Sequence, residues 1–207
     1  MYLPRAFVDE DLPRLHGVIQ HSRLATLVTW GAQGLQASHV PLLLDLAQGA
    51  NGTLYGHLAK ANPQCAELAD GAQALVIFLA EDAYVSPSFY PSKAEHGKVV
   101  PTWNYVAVHA YGQPEVFTDL QRLLKVVEGL TERHESARPQ PWKVADAPAD
   151  YIDGMLKAIV GFALPIQRLE GKRKLSQNRN AEDAAGVREG LAASADLRDQ
   201  QLARLMS

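Results

Sequence analysis

The sequence predicts a mainly β protein with flanking helices, whose strands form an antiparallel barrel. Six or more short runs of β-forming residues follow one another with turn signals between them. Few helical patterns separate these runs, whereas strands of a parallel sheet need long crossovers, usually helices. The chain has 207 residues, of which 47% are hydrophobic, so it can bury a real core.

The first elements are a helix and a hairpin. A helix is predicted over 8–21, because Asp9 is a suitable N-cap and the apolar residues after it have helical spacing. Residues 23–30 are rich in β-forming side chains and predict a strand. A turn at 31–34 leads into a second strand over 35–45, which would pair with the first.

Turn and cap residues mark the limits of the next elements. The Asn-Gly pair at 51–52 is a strong turn signal before a third strand over 53–58. The Asn-Pro pair at 62–63 suits a helix start, because Asn caps well and Pro there loses only an orphan N–H. Gly71 would end that helix, and the continuous apolar run 74–80 predicts a buried strand.

The middle of the chain contains a loop, two strands and the clearest helix. Pro, Ser and Gly are frequent over 86–98, which predicts a loop. Strands are predicted over 102–111 and 114–117. The helix over 118–135 has a Thr and a Gln at capping-box spacing at its start, followed by an apolar stripe of leucines and valine.

The C-terminal part is predicted to be helical after one more strand. A short helix is expected over 151–157 and a last strand over 159–169. Residues 182–206 are predicted to be helical, with a break near Gly190 and a second N-cap at Ser194.

The domain organisation, the net charge and the cysteine content limit the partners and the location that we expect for this protein. We expect one domain over 1–180, with a helical tail over 181–207 packed on it. The net charge of −3 and pI of about 6.2 give no overall attraction to nucleic acid or anionic membrane. Cys65 is the single cysteine, so no internal disulfide forms and a reducing, cytoplasmic location is expected. The sequence shows no signal-peptide pattern and no apolar stretch near ~20 residues, so no membrane partner is expected.

The strand predicted over 102–111 is chemically unusual for a core strand. Strand alternation puts its rings on one side, namely Trp103, Tyr105, His109 and Tyr111. Asn104 falls on the other side, among valines and an alanine. The aromatic side suits either a planar ligand or a subunit interface or core, because Trp and Tyr are enriched in such places.

Two segments offer contacts to an anion. Around the helix start at 62–63 the polar side chains are His57, Lys60, Asn62 and Gln64. Free N–H groups and the helix dipole favour a phosphate there, although a capped surface helix with a solvated lysine explains the same residues. The segment 172–179 combines four cations with three neutral donors: Lys172, Arg173, Lys174, Ser176, Gln177, Asn178 and Arg179. This pattern suits a phosphate or a heterocycle edge, and a solvated face is the alternative.

A third segment, 37–45, places Ser38 and His39 in a strand shortly before Pro41. Proline inside a strand indicates an edge or a bulge, where a backbone N–H can turn toward a ligand. The sequence has no G-x-G-x-x-G, H-E-x-x-H or G-x-S-x-G motif, and its seven histidines show no metal-ligand spacing. It therefore predicts no metal and identifies no catalytic residue.

Several motifs occur in an order that is specific to one family. They are MYLPRAF at the start, ATLVT (25–29), ASHVPLLLD (37–45), GHLAKANPQ (56–64), SPSFYPSK (86–93), GKVVPTWNYVAVHAYG (97–112), IVGF (159–162) and LEGKRKLSQNR (169–179). Together they resemble the PaiB-type FMN-binding negative transcriptional regulators of bacteria, from residue 1 to about 191. The resemblance implies an FMN-binding split barrel that works as a homodimer with flavin at the subunit interface. Phe89 and Arg173 stand where the family pattern has Trp.

The resemblance also implies which residues contact the flavin. The phosphate would be held by Lys60 and Asn62, with His57 and Gln64 nearby. The isoalloxazine would contact Ser38, His39 and Val40. The pocket would be lined by Trp103 and Asn104 and approached by Lys174, Ser176, Gln177 and Asn178, either from the same subunit or from its partner.

Three functions are consistent with the sequence. The first is a flavin-binding regulator that senses redox state or a ligand, with DNA as a partner on the resemblance alone. The second is a flavin-dependent oxidoreductase, in which the protein positions the ring and tunes its potential. The third is a haem-binding or haem-degrading split barrel, with His39, His57 or His109 as axial ligand.

Overall fold

The computed structural model describes residues 1–32 and 34–206. The strands in these residues are β1 (Val8–Asp9), β2 (Ala25–Gly31), β3 (Gly34–Val40), β4 (Leu43–Asp45), β5 (Thr53–Ala59), β6 (Ala74–Val85), β7 (Thr102–Gly112), β8 (Glu115–Phe117), β9 (Ile159–Pro165) and β10 (Arg168–Lys174). The helices are α1 (Leu12–His21), α2 (Gln64–Ala69), α3 (Ser92–His96), α4 (Leu120–Glu135), α5 (Ala149–Leu156), α6 (Ala181–Ala192) and α7 (Leu197–Leu205). Short 3-10 helices lie at Arg5–Phe7, Pro87–Phe89 and Val144–Asp146.

Internal contacts divide the chain into two units. The first unit contains Met1–Val18, Leu79–Val108 and the chain from Glu170 onward, and the second contains Ile19–Phe78 and His109–Leu169. Strands of the first unit lie in the order β1-β10-β7-β6. In the second unit β6-β2-β3 form one sheet and β4-β5-β9-β8 another. The pairings of β1 with β10, β2 with β3 and β6, β5 with β4 and β9, and β8 with β9 are antiparallel. The predicted mainly β, antiparallel fold with flanking helices is confirmed.

Helix α4 and the strands of the four-stranded sheet supply one core of the second unit. Its buried residues are Phe117, Leu123, Val126, Leu130, Leu156 and Ala163. In α4 these residues recur at i, i+3 and i+7, the spacing of one helix face. Gly161 in β9 has no side chain where a Cβ would lie 2.3 Å from Phe117 Cε2. The aromatic ring therefore lies directly against the strand.

Arg133 near the end of α4 ties together three segments of the second unit. Its Nη1 donates to the carbonyl of Leu42 at 2.6 Å, and its Nη2 donates to the carbonyls of Ser22, at 2.8 Å, and Gln20. Burial lowers the pKa of Arg133. Hydrogen bonds from a charged donor are about twice as strong as neutral ones. This one side chain therefore fixes the end of α1 and the chain entering β4 against α4.

In the first unit, α6 and α7 pack on strand residues and bury a second core. Its buried members are Ala83, Val85, Tyr90, Val106, Leu175, Val187, Leu191, Leu202, Ala203 and Met206. A Cβ at Gly190 would lie 2.3 Å from the ring of Phe89, so α6 lies flush against that ring. The backbone N–H and hydroxyl of Ser92 donate to the buried Asp183 carboxylate at 3.1 and 2.8 Å. The segment around α3 therefore holds α6 in place.

The structure corrects the predicted strand boundaries. The strand expected over 35–45 is two strands, because Pro41 has no N–H for a ladder and the chain changes sheet there: β3 pairs with β2, and β4 pairs with β5. The strand expected over 159–169 is likewise two, β9 and β10. Strand β6 extends five residues past the predicted end at 80, and the loop expected over 86–98 contains a 3-10 helix and α3. The turn predicted at 31–34 includes Gln33, which lies outside the described residues.

Helix starts also differ from the predictions. The observed capping residues are Asp11 instead of Asp9, Asp119 instead of Thr118, and Asp196 instead of Ser194. Asp9 lies in β1, and its buried carboxylate accepts a hydrogen bond from the Arg14 guanidinium at 2.7 Å, so it is not available as a cap. The predicted break between two C-terminal helices is present, but it lies at 193–196, and Gly190 is inside α6, where it packs against the Phe89 ring. No helix among residues 1–32 and 34–206 combines the length and apolar character needed to cross a bilayer.

Candidate functional site

Seven of the predicted flavin contacts lie in the second unit. They are Ser38, His39 and Val40 in β3, His57 in β5, Lys60 and Asn62 in the turn after β5, and Gln64 at the start of α2. Strand β3 ends its sheet, as Pro41 predicted for this segment. Burial along β3 alternates up to the buried Val40, with Ser38 half-buried and His39 exposed. Strand β3 therefore presents Ser38 and His39 at a sheet edge, whereas His57 lies in β5, an inner strand of the four-stranded sheet.

Asn62 connects the turn to strand β3. Its Nδ2 donates to Ser38 Oγ at 2.9 Å, and its Oδ1 accepts the backbone N–H of Gln64 at 3.0 Å. Its own backbone N–H donates to the carbonyl of Ala59 at 2.8 Å. The amide nitrogen and the amide oxygen of Asn62 are thus both hydrogen-bonded to other residues of the protein. Asn62 shapes the turn that carries Lys60, which is the kind of local hydrogen bonding that favours Asn before a helix.

Gln64 is fully buried, and its amide is anchored to the hairpin of β2 and β3. Its Nε2 donates to the carbonyl of Leu27 at 3.1 Å and to Thr29 Oγ1 at 3.0 Å. Its Oε1 is also buried and accepts no hydrogen bond from the described residues. An unpaired buried acceptor costs about 1–3 kcal/mol, so this oxygen offsets part of the stabilisation that the Gln64 amide nitrogen provides.

The polar network that surrounds Gln64 was not predicted from the sequence. The hydroxyl of Thr29 donates to Glu67 Oε2 at 2.5 Å, and Gln36 Nε2 donates to Glu67 Oε1 at 2.7 Å. Thr29 and Gln36 face each other in the β2–β3 register, and Glu67 follows Gln64 by three positions in α2. The i, i+3 spacing of Gln64 and Glu67 was a signal that both side chains leave α2 on the same side. No sequence pattern indicates that this side meets the hairpin.

The two histidines of this group differ in environment. His57 is half-buried, and its Nδ1 is enclosed without a hydrogen-bond partner in the described part of the chain. Burial lowers the pKa of His57, so the neutral imidazole is favoured. His39 is exposed, and its Nδ1 lies 3.1 Å from the hydroxyl of Thr26, its partner across the strand pair. His57 therefore has a neutral ring with one buried nitrogen that is not hydrogen-bonded to the described residues.

Lys60 supplies the positive charge of this group. Its backbone N–H donates to the carbonyl of Ala158 at 2.8 Å, which fixes the turn, while its side chain is exposed. None of the ion pairs among residues 1–32 and 34–206 involves Lys60. Its ammonium is therefore available to an anion.

The remaining predicted contacts lie in the first unit: Trp103, Asn104, Lys174, Ser176, Gln177 and Asn178. Asn104 and Ser176 are both buried, and Asn104 Nδ2 donates to Ser176 Oγ at 2.9 Å. Ser176 has a φ of 66°, a left-handed conformation that is uncommon outside glycine. The structure thus brings these two predicted residues together around a strained turn.

Lys174 and Gln177 are bound to groups of their own unit. The Lys174 ammonium donates to Thr102 Oγ1 and to the carbonyl of Trp103, both at 2.5 Å. Burial, together with the positive charges of Lys172 and Arg179, lowers the pKa of Lys174. Gln177 closes its turn by donating to the carbonyl of Arg173 at 2.6 Å. These side chains hold the turn after β10 in shape.

Trp103 and Asn178 present exposed surface in the first unit. The Trp103 side chain is 54% exposed, and its ring meets Tyr84 edge-on at a centroid distance of 5.9 Å. Asn178 is exposed in the turn before α6. In β7 the ring-bearing positions 103, 105, 109 and 111 are exposed or half-buried, whereas 104, 106, 108 and 110 are buried. The predicted alternation of this strand is confirmed.

Comparison with known proteins identifies the family. The family model described as "Putative FMN-binding domain" matches residues 1–168. An uncharacterized protein of Aspergillus fumigatus is 36% identical over 235 aligned residues, which cover 92% of this chain and 90% of the relative. The Bacillus subtilis protein called protease synthase and sporulation protein PAI 2 is 31% identical over 206 aligned residues, covering 100% of this chain and 96% of the relative. The relatives thus include fungal as well as bacterial proteins.

A solved structure supports the fold. The FAD and heme binding protein from Mycobacterium smegmatis superposes with a TM-score of 0.61, at 20% identity, over 81% of this chain and 73% of that chain. At this identity the likeness concerns the fold, and it agrees with the predicted split-barrel class. The fold, the match over residues 1–168 and the full-length similarity to the Bacillus subtilis protein together establish that the chain belongs to the PaiB-type family of FMN-binding proteins.

Proposed function

We propose that this protein binds FMN at the interface of a homodimer and works as a flavin-dependent regulator of the PaiB type. The observation that carries the proposal is the family match over residues 1–168, which includes Ser38, His57, Lys60, Asn62 and Gln64. The name of the Bacillus subtilis relative connects that protein with protease synthesis and sporulation. This supports regulation over a metabolic reaction as the role proposed for the present chain.

The polar group of the second unit fits the chemistry of a flavin mononucleotide. Lys60 offers an unpaired ammonium for the phosphate, close in sequence to the turn that Asn62 shapes. Gln64 Oε1 is a buried acceptor, and His57 Nδ1 is a buried ring nitrogen that donates or accepts according to its tautomer; neither has a partner among the described residues. A flavin ring carries an N–H donor and carbonyl acceptors, so it complements these groups where bound flavin reaches them. When bound, the flavin would supply electron or hydride transfer, and the protein would position and tune it.

We propose a different role for the predicted flavin contacts of the first unit. Trp103 offers an exposed indole for stacking, and the buried pair of Asn104 and Ser176 holds the turn after β10. Lys174 is bound to Thr102 and Trp103, so we propose that it acts mainly by positioning Trp103 and by its charge. In a homodimer these residues reach the flavin from the same subunit or from its partner.

Titration of FMN into the full chain, followed by quenching of flavin fluorescence, tests the proposal. We expect the exposed substitution K60Q to weaken FMN binding about tenfold, the loss of one charge contact of about 1.4 kcal/mol. Riboflavin lacks the phosphate, so its affinity should be unchanged by K60Q. K143Q, at an exposed lysine in the same unit, is the matched control. Equal loss of FMN and riboflavin, or no FMN binding by the wild type, contradicts the assignment.

Further measurements test the identity of the cofactor, the oligomeric state, direct DNA binding and the alternative oxidoreductase function. Titration with FAD and with haemin shows whether another cofactor binds more tightly than FMN, which would overturn the choice of FMN. Sizing of the holoprotein tests the homodimer, and a salt-dependent mobility shift with promoter DNA tests direct DNA binding. Turnover of a reduced nicotinamide by the flavin-loaded protein would instead favour the oxidoreductase function.

A further inference from the structure

A cavity of about 740 Å³ lies in the second unit, beside helix α4. We call it the α4 cavity; its walls come from α4, from β4 and the turn after it, and from neighbouring side chains of α1, β5 and β8. None of the predicted flavin contacts lines it. Its volume is in the range of small-molecule sites, which lies at roughly 300–1,000 Å³. The α4 cavity is therefore a separate candidate site.

The inner wall of the α4 cavity is apolar. Phe117 and Val126 are buried core residues that also line the cavity, and Leu43 and Leu44 of β4 line it from the sheet. Gly129 in α4 lets Leu43 approach closely, since a Cβ there would lie 2.7 Å from Leu43 Cδ1. Apolar walls backed by a packed core bind the apolar body of a ligand by removing its surface from water.

Two cations stand at the cavity, one turn apart on α4. The Arg122 guanidinium stacks on the Phe117 ring with its carbon 3.9 Å from the ring centroid. Its Nη1 also meets Glu115 Oε1 at 2.6 Å, but both side chains are well exposed, at 40% and 61%, so the pair is weak. Lys125 is exposed, and no ion pair among the described residues involves it. The guanidinium and the ammonium therefore both have hydrogen-bond donors free for an incoming anion.

The acidic and neutral polar groups of the lining narrow the choice of ligand. Asp45 also lines the cavity, and its Oδ1 accepts the backbone N–H of Ala47 at 2.9 Å. Tyr55 donates its hydroxyl to Gln48 Oε1 at 2.5 Å, so these two groups satisfy each other. Asp45 lies in the lining and Glu115 pairs with Arg122 at the solvent-exposed side, whereas Lys125 is in no ion pair among the described residues. Arg presents the planar fork that a carboxylate matches, and an incoming carboxylate competes with the exposed Glu115 for it. A ligand with one carboxylate and an apolar body fits this combination.

We propose that the α4 cavity is a binding site for a small apolar carboxylic acid, held by Arg122 and Lys125 at its carboxylate and by Leu44, Phe117 and Val126 along its body. The site is independent of the flavin contacts. Through this site a regulator binds a metabolite while its cofactor remains bound.

Calorimetric titration of the full chain with three matched probes tests this inference. The probes are 4-phenylbutyrate, 4-phenylbutan-1-ol and 4-phenylbutylamine, which differ only in the head group. We expect the carboxylate to bind at least about tenfold more tightly than the alcohol, with the amine weakest, because one extra charge contact corresponds to a factor of that size. Saturation of the protein with FMN should leave the affinity for the carboxylate unchanged.

Substitutions at exposed positions locate the site. K125E should lower the affinity for 4-phenylbutyrate about tenfold or more, and A47W should abolish binding by filling the cavity mouth. K157E, an exposed charge reversal in the same unit, should bind like the wild type. Urea unfolding of each variant confirms that it is folded. Absence of carboxylate binding, equal binding of the amine, competition by FMN, or wild-type affinity in K125E and A47W would each overturn the proposal.

Discussion

Asn62 Nδ2 donates a hydrogen bond to Ser38 Oγ at 2.9 Å and so joins the turn before α2 to strand β3. Both residues were expected near the flavin from the sequence, and the bond brings their side chains into contact. The same Asn62 side chain accepts the N–H of Gln64, so it organises the turn from both ends of its amide. The contact makes Ser38 and Asn62 a structural unit as well as candidate ligands.

We expect S38A to lower the free energy of unfolding by about 0.5–1.5 kcal/mol, and N62A to lower it more, because N62A removes two hydrogen bonds. In urea unfolding, the double variant should cost less than the sum of the single variants, because they share one bond. S86A breaks a comparable local hydrogen bond in the first unit and should be additive with N62A. Strict additivity of S38A and N62A would contradict the contact.

Substitution of Gln64 should be among the costliest polar changes in the second unit. Q64L leaves the Leu27 carbonyl and the Thr29 hydroxyl without their amide donor inside the core, so we expect a loss of about 2–3 kcal/mol in urea unfolding. Q113A removes an exposed amide that donates to the Gly71 carbonyl, and should cost less than about 1 kcal/mol. A Q64L protein as stable as Q113A would show that the network around Glu67 is not stabilising.

Two glycines of the second unit should respond to alanine in opposite directions. G161A places a Cβ 2.3 Å from the Phe117 ring, so core residues must shift, and we expect a loss of about 1–3 kcal/mol. Gly154 lies exposed in α5, and a Cβ added there would meet no heavy atom within 4 Å, so G154A should add up to about 1 kcal/mol through helix propensity. Thermal unfolding of both variants is the measurement, and a neutral G161A would contradict the packing of Phe117 on β9.

The lowered pKa of His57 predicts how stability depends on pH. In the unfolded chain a histidine titrates near pH 6.5, so between the two pKa values the unfolded chain binds more protons than the folded protein. The free energy of unfolding therefore rises with pH in this window and falls on acidification below about pH 6.5. Urea unfolding from about pH 7.5 to about pH 5 should show this slope, and H57Q should reduce it. H134Q, at an exposed position of α4, should retain the wild-type slope, and an unchanged slope in H57Q would contradict the prediction.

Local sequence patterns predicted most elements, because those elements depend on local chemistry. The apolar stripe of α4 and the β-forming run of β2 appear where their periodicity placed them. The cap of α4 was misplaced by one residue, since Thr118 and Asp119 are both good caps and the sequence does not separate them. The break after α6 falls three residues past Gly190, which packs against Phe89, a residue far away in the sequence. Such long-range packing is not encoded in local patterns.

In the candidate site, too, local sequence patterns do not predict the long-range contacts. The family resemblance implies that Ser38 contacts the flavin ring and Asn62 its phosphate, and the structure shows a hydrogen bond between these two side chains that was not predicted. The anchoring of Gln64 by Leu27 and Thr29 depends on how α2 lies against the hairpin, which spacing within α2 does not reveal. Lys174 shows a different limit of the sequence. The sequence shows that the residue is a cation, but only the fold shows that its ammonium donates a hydrogen bond to the Trp103 carbonyl. Residue types suggested candidate contacts, and tertiary contacts decide which of these groups are already hydrogen-bonded within the protein.

The triple hydrogen bond of Arg133 has a consequence for entry into the α4 cavity. Gln20 belongs to the cavity wall, the Leu42 carbonyl precedes the wall residue Leu43, and both are fastened to α4 by the same guanidinium. These two segments of the cavity wall cannot move away from α4 without breaking charged hydrogen bonds. We therefore expect the α4 cavity to bind carboxylic acids with a slender chain and to exclude bulky or branched ones.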